Sequence, residues 1–377
     1  MTAYFNKGDK PLTITEYGRF AQWLRSEGMT PADLLQNNPE KIVDGYEDKK
    51  VTGERILSLL ERGNAMAIAM QKWQNAGIWV ITRADDEYPK RLKKRMGQKC
   101  PPILYGAGNK KILRTKGVAI IGSRDVSDAD LDFTFKLGEK LALSGYSVVS
   151  GAARGVDEAS MMGSIHADGT TIGVVADGLM QKTLSKKYRD AIMNNNLVLI
   201  SPYYPEARFS VGNAMGRNKY IYALAESSIV VYSGLSGGTW EGAKENLKHQ
   251  WVPLFVKEKI DERSGNSKLL EMGGLPLDKD ILDREDMEFL FVVPKSKNVS
   301  EDTSVTGENR ESIDLEEKIL QVVKGRKLTI SEIASEIDEE EKSVKKVVET
   351  LVKTKELQKH RNRPLKFSRI DKLPGMA

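Results

Sequence analysis

Apolar positions recur every three to four residues through the first part of the chain, then gather into short unbroken runs from position 78 onward. Tyr17, Phe20, Trp23 and Leu24 share one helical face, and Ala32, Leu34 and Leu35 follow Pro31, a residue suited to a first helical turn. Ile56, Leu57, Leu59 and Leu60 predict another helix, and Ala65 to Trp73 continue the pattern. Short helices with polar connections predict a helical domain over 1–76. A SAM-like or helix-hairpin-helix-like nucleic-acid module fits it, and so does a plain packing or dimerisation domain.

Trp79 to Thr82 reads as a strand. After Tyr88-Pro89 comes a basic stretch with Lys90, Arg91, Lys93, Lys94, Arg95 and Lys99, expected to be a solvated helix face unless it borders a groove. Pro101 to Gly106 reads as extended chain ending in a turn. From Val118, β-rich apolar runs alternate with helical segments, with strands expected at 118–121, 147–149, 171–175, 197–200, 228–231 and 252–256. This alternation predicts an α/β fold over 77–294, a Rossmann-like, mostly parallel sheet with helices on both faces. Its ligands belong beyond the carboxyl ends of the strands.

Residues 295–312 are polar and nearly devoid of large apolar groups, which predicts a linker. Residues 313–370 form a last unit. Leu315, Ile319, Val322 and Val323 suggest one helix, Thr329 to Ala334 a capped second, and Val344, Val347, Val348 and Leu351 a third. Segments 357–359 and 365–367 pair as strands around Asn362-Arg363-Pro364, completing a winged-helix pattern. Its basic residues, among them Lys353, Lys359, Lys366 and Arg369, suit either duplex DNA phosphates or a solvated edge, whereas acidic 338–341 repels DNA.

The chain has 377 residues, 40% of them hydrophobic and 29% charged, with a net charge of +5. Sizeable cores can form, and a polyanion partner is permitted without being demanded. Cys100 is the one cysteine, and His166, His249 and His360 are far apart. A disulfide framework and a multi-cysteine zinc site are excluded, and neither a metal nor a cofactor is expected. The N-terminus lacks a signal pattern, and no apolar run approaches the roughly 20 residues of a membrane span. A cytoplasmic protein without membrane association is expected.

The candidate chemistry lies in loops. Gly122-Ser123-Arg124 directly follows an expected strand: glycine admits a phosphate to the backbone, serine donates, and arginine offers a bidentate fork. An ordinary turn would also use these residues. Ser150 to Asp157 follows the next strand, with Gly151 and Arg154 among small residues and Asp157 expected to cap the following helix. Gly216-Arg217-Asn218-Lys219 is expected to open a helix and place two cations within one turn. Ser236-Gly237-Gly238-Thr239-Trp240-Glu241 forms an anion nest at another helix start. Together these loops would make one continuous polar rim.

In this order the residues resemble the DNA-processing protein A (DprA, also called Smf) family. The resemblance rests on Gly122 to Arg124, Ser150 to Asp157, Thr171 to Val174 with Gly178-Leu179, Arg217 to Lys219, and Ser236 to Ala243. It implies a single-stranded DNA-binding protein without catalysis. Such a protein forms a homodimer through the Rossmann-like domain and helps load a RecA-type recombinase during natural transformation. Carried over, Arg124, Arg154, Arg217 and Lys219 contact phosphates, while Gly122, Ser123, Gly151, Asn218 and Gly237 shape the pocket. The chain departs from the family at Met161, where histidine is usual, at Pro202 and Tyr232, where acidic residues are usual, and near 180–187, where a Tyr-Pro-x-x-Asn element is missing. A divergent member results, for which a defence role against mobile DNA fits as well as transformation.

Two other readings remain open at this point. Gly238-Thr239-Trp240-Glu241 resembles part of the signature of nucleotide phosphoribohydrolases of the lysine-decarboxylase-like type, with Glu241 assisting N-glycosidic cleavage, although the spacing differs. A non-catalytic nucleotide sensor is the other. Tyr203, Tyr204 and Trp240 are candidates for base stacking, though packing is the commoner use of such rings.

Overall fold

The computed structural model describes residues 1–4, 9–258, 264–292, 319, 322–323, 326–337, 341–353, 357–360 and 366–369. The chain forms two compact units, Met1–Pro294 and Lys295–Ala377.

The first unit opens with five helices: α1 (Ile14–Ser26), α2 (Asp33–Gln36), α3 (Pro39–Asp44), α4 (Gly53–Leu60) and α5 (Gly63–Asn75). Their starts are written locally. Thr13 and Glu16 form a reciprocal capping box on α1, Asn38 caps α3 ahead of Pro39, and Thr52 accepts the Arg55 N–H at the start of α4. Phe20, Leu24, Leu34, Val43, Ile56 and Leu59 close a core of their own, whereas α5 places Trp73 in the core beneath the sheet.

The sheet region follows as β1 (Ile78–Thr82), α6 (Lys90–Met96), β2 (Ile103–Gly108), β3 (Gly117–Ile121), α7 (Asp128–Leu143), β4 (Ser147–Ser150), α8 (Val156–His166), β5 (Thr171–Val174), α9 (Leu179–Leu184), α10 (Lys186–Met193), β6 (Leu197–Ser201), α11 (Val211–Leu224), β7 (Ser227–Val230), α12 (Gly238–His249), β8 (Leu254–Val256), α13 (Asn266–Glu271) and β9 (Leu275–Pro276). The nine strands lie in the order β1-β2-β6-β5-β4-β3-β7-β8-β9. β2 pairs antiparallel with both β1 and β6, and every other neighbouring pair, from β6 across to β9, is parallel. Every strand expected in this region forms. The central ones are buried on both faces, which is why they read as continuous apolar runs.

Alternate strand residues feed two cores. Ala119, Ile121 and Val230 pack with α6, α11, α12 and α13, while Val118, Ile120 and Ile229 pack with α7, α8 and α10. From β3 the chain steps outward through β4, β5 and β6, then returns to lay β7 on β3's other side. The β3–β7 boundary is therefore the topological switch point, where open α/β sheets leave a crevice.

Two packing details fix this frame. Helices α7 and α8 touch through glycines, and a Cβ on Gly163 would lie 2.0 Å from the Phe135 carbonyl oxygen. Gly163→Ala is expected to lower stability by about 1–3 kcal/mol. A shifted denaturant midpoint at unchanged m-value is the reading sought, and an unshifted midpoint would contradict the close approach.

The basic stretch around α6 keeps Lys90, Lys94 and Lys99 exposed as expected, but Arg91 and Arg95 depart from the solvated face. Arg95 donates to the carbonyls of Ala223 (3.0 Å) and Ala225 and to Glu226 at 2.6 Å, and Arg91 donates to Glu226 at 3.2 Å and Leu113 at 2.9 Å. The last carbonyls of α11 lack intrahelical donors, and the Arg95 guanidinium supplies them, while Arg91 reaches the Leu113 carbonyl and Glu226.

In the second unit, helices Ile330–Ile337 and Glu341–Lys353 and the antiparallel strands Leu357–His360 and Lys366–Arg369 surround Ile319, Val323, Ile333, Val344, Val348 and Phe367. Thr329 and Glu332 cap the first of these helices reciprocally, as the sequence predicts. The expected linker 295–312, the acidic residues 338–340 and the turn Asn362-Arg363-Pro364 lie outside the described residues. Among the described residues, no helix is long and apolar enough to cross a membrane, and no group of three or more His, Cys, Asp or Glu is placed to hold a metal ion.

Candidate functional site

The loops after β3, β4 and β7 meet at the switch point. Gly122 sits against the first residue of α8: a Cβ there would come within 2.5 Å of the Val156 side chain. Only glycine lets this turn pass. The Ser123 N–H donates to the Tyr232 carbonyl at 2.9 Å, tying the β3 loop to the β7 loop. Arg124 is exposed, with its guanidinium carbon 5.4 Å from the centre of the Phe209 ring.

In the loop after β4, the Ser150 hydroxyl donates to the Ile120 carbonyl at 2.7 Å. Asp157 does not cap α8 as expected. Gly155, at φ +85°, holds the cap position without a side-chain bond, and Asp157 turns inward from the first turn. Arg154 is exposed and pairs with equally exposed Asp125 at 3.3 Å.

The expected helix start at Gly216 is also corrected. The Ser210 hydroxyl accepts the Asn213 N–H and starts α11 at Val211, so Gly216 to Lys219 lie further along the helix. This carries Arg217 onto the buried face. Lys219, two residues on, faces away, because residues two apart do not share a helix face. Its ammonium lies 5.2 Å from the Tyr220 ring centre. The Asn218 side-chain amide donates to the Gly238 carbonyl at 2.8 Å and so holds the start of α12 beside α11. That start has Gly237 at φ +94° and no side-chain cap. The first-turn N–H groups of α12 therefore lack intrahelical acceptors, an arrangement that attracts anions.

Arg217 is the centre of the arrangement. It is 5% exposed, and its Nη1 lies 3.8 Å from Asp157 Oδ2. Neither Nε nor Nη1 has a hydrogen-bond partner. Gly151 makes the room, since a Cβ there would fall 1.6 Å from Nη1 and 2.3 Å from the Asp157 carboxylate. Burial pushes the Asp157 carboxyl above its usual range, opposed by Arg217 and by the backbone N–H groups of Ala153 and Gly151. Burial likewise lowers Arg217, opposed by Asp157. Each unmade hydrogen bond of a buried donor costs about 1–3 kcal/mol. A ligand or solvent in an adjoining cavity would supply the acceptors these donors lack.

Two cavities open from this guanidinium. One, of about 380 Å³, is lined by Gly122, Ser123, Gly237, Gly238 and Thr239. The other, of about 410 Å³, is lined by Gly151, Arg154, Lys182, Lys187 and Tyr188. Arg124, Phe209 and Arg217 border both. The structure thus brings together the phosphate-binding candidates except Lys219, while Glu241 and the rings of Tyr203, Tyr204 and Trp240 also line neither cavity. Glu241 is exposed and 3.4 Å from Lys244.

Lys182, Lys187 and Phe209 escaped the sequence reading because they stand apart from the glycine-bearing strand ends. Met161, where the resembled family has histidine, is wholly buried in the core under α8. Of the rings considered for stacking, the Tyr203 hydroxyl donates to the Asn213 carbonyl at 3.1 Å, and Trp240 packs near Gly265. A cleft of about 710 Å³ among Tyr4, Tyr105, Tyr203 and Tyr204 shares no lining residue with the two cavities.

Fold and site define a Rossmann-like α/β protein with a glycine-rich, arginine-centred crevice at its switch point. The model of the DNA recombination-mediator protein A family matches residues 79–283, and the chain belongs to that family. It is 26% identical over 208 residues to Protein Smf of Synechocystis, covering 54% of this chain and 51% of that protein. It is 28% identical over 205 residues to DNA processing protein DprA of Bacillus subtilis, covering 53% and 68%. The match thus spans about half the length of the Synechocystis protein. The X-ray structure of DprA from Streptococcus pneumoniae superposes with a TM-score of 0.53 at 20% identity, covering 71% of this chain and 95% of that one, a likeness of fold.

Proposed function

We propose that the switch-point crevice binds single-stranded DNA through its phosphates, and that the protein acts as a non-catalytic mediator of DNA recombination. The observation that carries this reading is Arg217: a buried guanidinium with unpartnered donors, set where glycine-rich loops leave backbone within reach of a ligand. Family membership favours a nucleic acid as the anion. Exposed Phe209, Val211 and Met215 at the rim favour a single strand, since unpaired bases offer apolar faces that duplex DNA hides. In this reading Arg124, Arg154 and Arg217 meet phosphates, Ser123, Gly237, Gly238 and Thr239 shape the nest, and Asn218 braces it.

The domain plan that accompanies this reading is a helical domain over 1–76, the DNA-binding sheet domain over 77–294 and a winged helix over 313–370. A recombinase of the RecA type and a second copy of the chain are its proposed partners. The enzymatic alternative lacks support from Glu241, which is exposed and apart from both cavities.

The test is a salt-titrated binding assay with single-stranded DNA, duplex DNA, RNA and mononucleotides. Single-stranded DNA is expected to bind tightest. Arg124→Ala should weaken it on the order of tenfold and lower the slope of log affinity against log salt by about 0.7, the value of one lost phosphate contact. Preference for a free mononucleotide over every strand would overturn the reading.

A further inference from the structure

The tyrosine cleft beside the crevice offers mostly aromatic faces, and its role rests on single-stranded DNA being the ligand of the crevice. This cleft, of about 710 Å³, lies beyond the carboxyl end of β6 and is lined by Tyr4, Tyr105, Tyr203, Tyr204, Arg208 and Asn213 among others. It shares a wall with the crevice. Arg208 and Asn213 border the cleft, while their chain neighbours Phe209 and Ala214 border both cavities around Arg217. Burial raises the Tyr203 pKa and the Arg217 charge opposes the rise, so this phenol stands within electrostatic reach of the buried guanidinium.

The rings are held from beneath. The Tyr204 ring centre lies 6.1 Å from that of Tyr4 and 5.7 Å from that of buried Trp73, which also packs edge-on against Tyr105 at 5.1 Å. Tyr4 is half exposed and leaves a face open. Glu206, the carboxylate in the lining, is already engaged: Lys72 pairs with it at 2.5 Å, and the Tyr204 hydroxyl donates to it at 3.1 Å. A cationic ligand would therefore find its counter-charge taken and Arg208 opposing it.

Two polar groups of the lining stay unused. Tyr105 is 3% exposed, yet its hydroxyl makes no hydrogen bond among the described residues. Asn213 bonds to Tyr203 and Ser210 through its backbone and leaves its side-chain amide free among the described residues. A hydroxyl and an amide each donate and accept, the chemistry that meets the edge of a nucleobase, and phenol rings meet its face.

We propose that this cleft holds a base of the bound strand, stacked on the tyrosines and hydrogen-bonded by Tyr105 and Asn213, while a phosphate of the same strand rests on Arg217. A base within a strand and the base of a free nucleotide share the required chemistry.

The experiment uses the full chain and two variants. Tyr105→Phe removes the hydroxyl alone and keeps the ring against Trp73, and Tyr4→Ala removes an exposed stacking face. Affinity is measured, with salt titrated, for a twelve-residue oligothymidylate, for an abasic strand of the same length and charge, and for thymidine monophosphate. Thermal unfolding of all three proteins confirms equal folding. The wild type is expected to bind the thymidylate more tightly than the abasic strand. Tyr105→Phe should lower thymidylate affinity about two- to tenfold, the worth of one hydrogen bond, and Tyr4→Ala on the order of tenfold, the worth of a stacked base. Neither should alter abasic affinity or the salt slope, since no phosphate contact is touched. An abasic affinity or salt slope that falls together with thymidylate affinity places the effect in the crevice and refutes the base cleft. Folded variants that both keep wild-type affinity for the thymidylate refute it too, as does a wild type that binds both strands equally. Variants that weaken thymidine monophosphate alone assign the cleft to a free nucleotide and overturn its place in the strand. A wild type that binds neither strand refutes the underlying reading instead, so the two failures are separable.

Discussion

Arg217→Met is expected to lower the unfolding free energy by about 3 kcal/mol at neutral pH, the cost of leaving one member of a buried ion pair alone. The wild-type guanidinium lies 3.8 Å from the Asp157 carboxylate, and both are nearly sealed from solvent. Without it, Asp157 keeps its burial and loses its counter-charge. Burial already holds this carboxyl above its usual pKa, and the variant pushes it further up.

A carboxyl whose folded pKa is raised binds its proton more readily in the folded state, so stability falls as pH rises through that range. The deficit of Arg217→Met should thus be largest at neutral pH and shrink as pH falls toward about 4, the usual carboxylate value. Asp157→Asn combined with Arg217→Met removes both charges and should recover most of the stability while leaving DNA binding lost. Denaturant unfolding at several pH values, beside an oligonucleotide titration, checks both halves. A single variant as stable as the wild type at neutral pH would show that the pair is not coupled.

Gly151→Ala is expected to abolish most single-stranded DNA binding with every cationic side chain still present. The new Cβ falls 1.6 Å from Arg217 Nη1. The guanidinium must leave or the loop after β4 must move, and either change takes Arg217 off the boundary of the two cavities. Losing one charge-assisted phosphate contact costs about 1.5–3 kcal/mol, on the order of ten- to a hundredfold in affinity. Circular dichroism and unfolding separate misplacement from misfolding. Wild-type affinity in a folded Gly151→Ala protein would show that the buried guanidinium does not contact DNA.

The parallel sheet was readable from the chain because its strands are buried on both faces. Runs such as Val118 to Ile121 have no polar partner positions and admit few other interpretations. Gly122, Gly151 and Gly237 were readable because glycine after an apolar run marks close backbone approach. The capping role expected for Asp157 failed for a physical reason. Gly155 takes the cap, and the carboxyl lies inward, 3.8 Å from the guanidinium on α11, which sequence spacing does not bring near. Lys219 was grouped with Arg217 by adjacency in sequence, yet helical geometry separates them. Arg91 and Arg95 looked like a solvated run, but the carbonyls ending α11 draw Arg95 inward, and the Leu113 carbonyl and Glu226 draw in Arg91.

The sequence alone determined the α/β class, the strand positions and the family, because burial periodicity and glycine placement are local properties of the chain. The tertiary structure alone decided that Arg217 is buried, that Asp157 faces it, and that Lys182 reaches back to the Ala152 carbonyl beside them. Those facts depend on which elements the switch point brings together, and a charge's solvation is set by neighbours in space rather than in sequence.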